Sequence, residues 1–285
     1  NITERSPLLQ PGFLSLPCQF INMNKISLIA SLLFVVFFSS CLDTEEKIVI
    51  NKNNSGIYTL TLDMSKMLQL MDQMGQENKD DSKIQEKKDS TVYFKSFVDT
   101  STTLTAKEKE MFTNGSLRMK VDEAEKELIV VLNFPFKHIG DLPELKSSYL
   151  SVIDKLGISN KLKNPGDSGS VEDMPADIAK DKNILNPARD AFVFAAAPGK
   201  LSNSLVNKDL FNNKIQNDSS MQMLQQMSMM MGDMNYKTII VLPKKVKKYK
   251  GNQTILSDDK KTLTFLTTLN DMLNRPEAAE YSVEY

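Results

Sequence analysis

Residues 47–63 read KIVINKNNSGIYTLTLD, two β-branched runs on either side of NKNNSG. The Asn, Ser and Gly of the middle segment suit a tight turn, so the stretch predicts a β-hairpin. In the second arm Tyr58, Leu60 and Leu62 fall on one face and Ile57, Thr59, Thr61 and Asp63 on the other, because successive side chains of a strand point to opposite sides. An apolar sheet face needs a cover, and the next residues offer one. Met64, Met67, Leu68, Met71 and Met74 recur at steps of three and four up to Gly75, the spacing of an apolar helical stripe.

The hairpin pattern recurs along the chain. Residues 116–121 and 128–136 alternate around the charged DEAEKE, and residues 191–197 and 200–206 flank Pro198-Gly199. Residues 236–242, 244–249, 254–257 and 262–268 read as further strands, and the terminal EYSVEY as a last one. Residues 92–97, VYFKSF, fit either a strand or a short buried helix. Thr105 and Glu108 have the spacing of a capping box opening a short helix toward Asn114-Gly115. From Leu142 to Leu156 apolar residues recur at helical spacing, with Gly157 placed to end the run. A Met-rich helix is expected over 221–231, and its MLQQMSMMMG echoes MLQLMDQMG of 67–75. The fold class expected is α+β: one antiparallel sheet of hairpins over 47–285, with a few helices packed mainly on one face. Residues 76–90 (QENKDDSKIQEKKDS) bury too little apolar surface to offset their ordering entropy, and 157–187 collect Gly, Pro, Asn, Ser and Asp. Both are expected as mobile loops.

Upstream, residues 23–41 read MNKISLIASLLFVVFFSSC. Lys25 precedes an apolar run from Ile26 to Phe38, too short for the about 20 helical residues that cross a bilayer but right for an export signal. The run ends in Phe38-Ser39-Ser40-Cys41, which resembles a lipobox, where diacylglycerol is added to the cysteine thiol before a peptidase cuts ahead of it. Phe38 departs from the leucine usual at that place. With CLDTEE following as an acidic tether over 41–46, the segment resembles the uncharacterised exported lipoproteins of Bacteroidota-type bacteria. That resemblance implies lipid on Cys41 as the membrane partner and an envelope location, in the outer membrane and on its outer face. It implies nothing about the globular part. Residues 1–22, ahead of the first methionine, are expected to be an upstream extension, and 23–40 the signal peptide.

Composition narrows the chemistry. The chain has two cysteines, Cys18 and Cys41, so nothing remains after processing to form a disulfide. A His-based triad would depend on the single histidine, His138, and no GxSxG elbow, Walker loop or dinucleotide glycine pattern is present. A net charge of −1 gives no electrostatic argument for nucleic acid. The expectation is a protein without enzymatic activity, metal or cofactor. Asp167, Glu172, Asp173 and Asp177 could gather around calcium, but their spacing does not match an EF-hand, and a solvated linker is the simpler reading. Met221, Met223, Met227, Met229, Met230, Met231 and Met234 could offer thioethers to Cu(I), although Met223, Met227, Met230 and Met234 share one helical face. Packing explains that face first and an apolar groove second. Lys244, Lys245, Lys247, Lys248 and Lys250 could meet anionic headgroups, or simply protect an edge strand. The function expected is a membrane-anchored binding or structural module acting through an envelope protein partner. The alternative is a carrier of an apolar ligand, such as a lipid, in a groove lined by Met64, Met67, Met71, Met223, Met227 and Met230.

Overall fold

The hairpin over 47–63 forms as its alternation predicts. β1 (Asp43–Ile50) and β2 (Gly56–Asp63) pair antiparallel, and Tyr58, Leu60 and Leu62 are buried while Ile57 is exposed. The computed structural model describes residues 43–66, 68–69, 87–158, 191–217, 222, 225–226, 228–229 and 232–285. β1 begins four residues earlier than the sequence suggests, so Asp43–Glu46 are strand rather than tether. Acidic composition hides the continuation, yet Thr44 and Glu46 stand in phase with Ile48 and Ile50.

Three further strands extend the hairpin on one side. β3 (Lys87–Tyr93), β4 (Ser116–Asp122) and β5 (Glu127–Phe136) join β2 in the order β2-β5-β4-β3, all antiparallel. Lys87–Ser90, expected as part of a loop, belong to β3. This polar edge strand is held across the ladder by Lys87 with Asp122 at 2.8 Å and by Arg118, which grips both carboxylate oxygens of Asp89. Such cross-strand pairs stabilise a strand that has little to bury. The ambiguous VYFKSF is both of its alternatives in turn: β3 runs through Tyr93, and α1 (Lys95–Thr100) starts at Lys95. α2 (Ala106–Phe112) carries the full capping box, Thr105 Oγ1 accepting from the Glu108 N–H at 3.2 Å and Glu108 accepting from the Thr105 N–H at 2.8 Å.

On the other side β8 (Asn235–Val241), β11 (Thr262–Thr268) and β10 (Thr254–Leu256) complete eight strands in the order β10-β11-β8-β1-β2-β5-β4-β3. β8 lies parallel to β1, so the sheet is antiparallel except at this one pairing. A second sheet of four strands corrects the expectation of one. It contains β6 (Phe192–Ala197), β7 (Lys200–Leu205), β9 (Lys248–Gly251) and β12 (Tyr281–Glu284), in the order β6-β7-β12-β9. Its Tyr281 stacks on Phe265 of β11 at 4.7 Å between ring centroids, so the small sheet rests on the large one. Gly251, paired with Tyr281, makes this approach feasible: a Cβ there would fall 2.5 Å from the Phe265 ring.

α3 (Leu142–Lys155) buries Leu142, Leu145, Tyr149, Val152 and Ile153, the stripe its spacing announces, and Gly157 follows with φ +65°. Beneath it Phe134 is ringed by Tyr58, Phe94, Phe112 and Tyr149 at 5.4 to 6.3 Å, the tilted and stacked contacts preferred by aromatic rings. α4 (Lys208–Asn217) and α5 (Leu269–Asn274) were not legible in the sequence. Buried Phe211 and Ala191 join Met234, Leu269 and Met272 in a second, smaller core. The fold is α+β, with antiparallel pairing dominant.

Candidate functional site

The interior face of the large sheet changes character along its own strands. On β1, β8 and β11 the row Ile48, Ile240 and Leu263 is wholly buried and apolar. Two residues on, the same three strands present Glu46, Thr238 and Phe265, and two further on Thr44, Tyr236 and Thr267. The strands therefore carry an apolar half and a polar half on one face. The polar half floors a cleft of about 320 Å³.

The cover comes from five elements: Pro143, Lys146 and Ser147 of α3, Phe192 and Phe194 of β6, Asn203 of β7, and Ala278 to Tyr281 where a short 3-10 helix meets β12. Lys146 occupies a position of the buried helical stripe, opposite Glu46 in the sheet. Its Nζ donates to Glu46 Oε2 at 2.7 Å, and Tyr58 Oη donates to Glu46 Oε1 at 2.8 Å. The Lys146 side chain is only 10% exposed and that of Glu46 19%. The ammonium also lies 4.2 Å from the centroid of the Phe194 ring, an orientation that ring electrostatics favour. Burial, and then Glu46 alongside, push the Tyr58 phenol well above its ordinary pKa, so it remains a donor.

A buried ion pair exchanges hydration for mutual attraction, and breaking it costs more than its presence contributes. Here both carboxylate oxygens are engaged, which fixes the orientation of Glu46 in the wall. Other polar groups in the wall are less satisfied. Thr267 Oγ1 and Tyr281 Oη are buried and have no hydrogen-bond partner among the described residues. Such groups are uncommon in folded proteins because desolvation without a partner is costly. Glu280 is engaged, accepting from the Leu205 N–H at 2.9 Å.

None of these residues was singled out by sequence. The available signal was a phase violation: Glu46 in register with Ile48 and Ile50, and Lys146 in register with Leu142, Leu145 and Tyr149. The methionine groove fares differently. Met64 is packed in the main core. Met67, Met71, Met223, Met227 and Met230 lie outside the described residues, as does Cys41. Met229 is 76% exposed, and Met234 lies beyond the helical residues, after Gly232, in the smaller core. Met272 is the methionine that borders the cleft.

The remaining candidates are also placed. His138 is exposed at the end of β5. Asp167, Glu172, Asp173 and Asp177 lie outside the described residues, and among the described residues no group of three or more His, Cys, Asp or Glu is arranged to hold a metal. Lys244, Lys245 and Lys247 precede β9 instead of forming its start. Lys248 and Lys250 are exposed on that edge strand, a placement that discourages edge-to-edge pairing. Among the described residues no helix is long and apolar enough to cross a membrane.

No family model matches the chain, and no curated protein matches it. Among solved structures it overlaps the folded domain of the LppM protein of Mycobacterium tuberculosis, determined by NMR. The overlap covers 86% of this chain and 91% of that one, with 8% identity and a TM-score of 0.31, a level that carries no inference about the chain.

Proposed function

We propose that this protein is a binding module of the cell envelope, tethered by lipid on Cys41, that holds a small ligand with an apolar body in the cleft between its two sheets. The cleft carries the reading. Its volume of about 320 Å³ falls at the low end of the range for small-molecule sites, about 300–1,000 Å³. Aromatic rings line it beside a few fixed polar groups, the mixture that gives such sites affinity and orientation. The tether rests on the export signal and the Phe38-Ser39-Ser40-Cys41 motif. A ligand carrier was the second expectation from sequence, and the cleft raises it above a purely structural role. In this reading the binding residues are those at the polar end of β1, β8 and β11.

Native mass spectrometry of the protein extracted from its own membranes tests the binding reading. A small-molecule adduct that disappears when Ala279→Trp fills the cleft is the expected result; an adduct-free wild type, or one that Ala279→Trp leaves unchanged, overturns it. Incorporation of labelled palmitate that Cys41→Ser abolishes is the expected result for the anchor, and unchanged labelling in that variant removes it.

A further inference from the structure

Four buried side-chain atoms lack a hydrogen-bond partner among the described residues, and two of them, Thr267 Oγ1 and Tyr281 Oη, belong to residues that line the cleft. Tyr281 is 7% exposed, and burial keeps its phenol protonated far above the ordinary range. The residue is anchored on both sides by β7 and β9 and stacked on Phe265, so its hydroxyl cannot swing out to water without disturbing both sheets. Thr267 is held in the floor by pairing with Tyr236. Each hydroxyl is thus a fixed polar group of a cleft-lining residue that the described residues leave without a partner.

The charges of the same walls are already committed. Glu46 has one oxygen on Lys146 and the other on Tyr58, and Glu280 takes the Leu205 N–H. An incoming anion would meet two carboxylates and find both lysines of the lining already paired, Lys146 with Glu46 and Lys237 with Glu45. An incoming cation would meet Lys146. Either would lose its hydration without an available counter-charge, which in a low-dielectric site is strongly unfavourable.

We infer that the ligand of this cleft is an uncharged molecule, with an aromatic or alicyclic body lying among Phe192, Phe194 and Phe265 and an oxygen that accepts hydrogen bonds from Tyr281 and Thr267. This rests on the binding reading above and adds to it the chemical class of the ligand. The fixed Glu46–Lys146 pair acts as a selectivity element, rejecting charge of either sign while presenting the Lys146 and Phe194 surfaces to the ligand.

Three probes sharing one body test it on the full chain: 3-phenylpropanol, 3-phenylpropanoate and 3-phenylpropylamine, with affinity followed by chemical-shift changes at cleft residues. The alcohol is expected to bind about tenfold more tightly than either ion. Tyr281→Phe and Thr267→Val are each expected to weaken the alcohol about fivefold, while leaving the melting temperature of the unliganded protein unchanged or higher, because each removes an unsatisfied hydroxyl. An ion that binds as tightly as the alcohol overturns the class of ligand and leaves the cleft as a binding site. Unaltered alcohol affinity in both variants, or a destabilised unliganded Tyr281→Phe, overturns the role of the hydroxyls. No shift at the cleft with any probe, or shifts that survive Ala279→Trp, overturn the binding reading together with this one.

Discussion

The two halves of the interior face of β1, β8 and β11 are made by the same strands, in the same ladder, a few residues apart. At one end Ile48, Ile240 and Leu263 are fully buried and adjoin the aromatic cluster around Phe134. At the other, Thr44, Tyr236 and Thr267 face a cleft, with Glu46 and Lys146 at the border. The first half has what a core needs: close-packed apolar groups with nothing left to satisfy. The second leaves hydroxyls without partners and confines an ion pair, features that reduce stability and are retained where a site needs polar groups held in place. The contrast separates a close-packed apolar region from one that leaves polar groups around a cleft.

Breaking the stable half should cost most. Phe134→Ala removes the ring that four other aromatics contact, and a loss of about 3–5 kcal/mol is expected in urea denaturation. The border comes next. Lys146→Met leaves Glu46 confined with only Tyr58 to bond it, and should cost about 3 kcal/mol. Restoring stability in the double variant Glu46→Leu/Lys146→Met would identify the unpaired charge, not lost packing, as the cause; a double variant no better than the single one would point to packing.

A smaller effect is expected away from both halves. Glu108 closes the α2 cap and reaches Lys155 of α3 at 2.6 Å, and its carboxyl is held below the usual carboxylate range, first by Lys155 and then by the Thr105 N–H. Because the folded-state value is depressed, this contribution is complete above the ordinary glutamate pKa of about 4.3 and is lost as pH falls through the folded value. Glu108→Gln should cost about 1 kcal/mol at neutral pH and much less in acid. Equal destabilisation at both would show that the carboxylate charge plays no part. The smallest effect belongs to the polar half. Thr267→Val should change the stability of the unliganded protein by about 0.5 kcal/mol or less, in the stabilising direction. A loss comparable to that of Lys146→Met would mean the hydroxyl is bonded within the fold and the two halves do not differ as described.

Much of the fold was legible because its signals are local. The alternation of Tyr58, Leu60 and Leu62, the Thr105–Glu108 cap and the stripe from Leu142 to Ile153 each specify a face or an end within one element. The site was not, because Glu46 and Lys146 sit where such patterns demand apolar residues. Composition assigned Glu46 to an acidic tether and left Lys146 unnoticed inside an otherwise apolar stripe. The methionines drew attention as a group by number and spacing, whereas Met64 and Met234 serve two different cores.

By itself the sequence determined the hairpins, the capped helix and which side of β2 faces inward, since periodicity and turn chemistry act over a few residues. Only the tertiary structure decided that β8 lies parallel to β1, with Asn235 bonded to Asp43 across 192 residues. The same holds for the second sheet packing on the first and for Glu46 meeting Lys146. Those arrangements depend on which faces find each other across the folded chain, and no pattern within a single element encodes its partner.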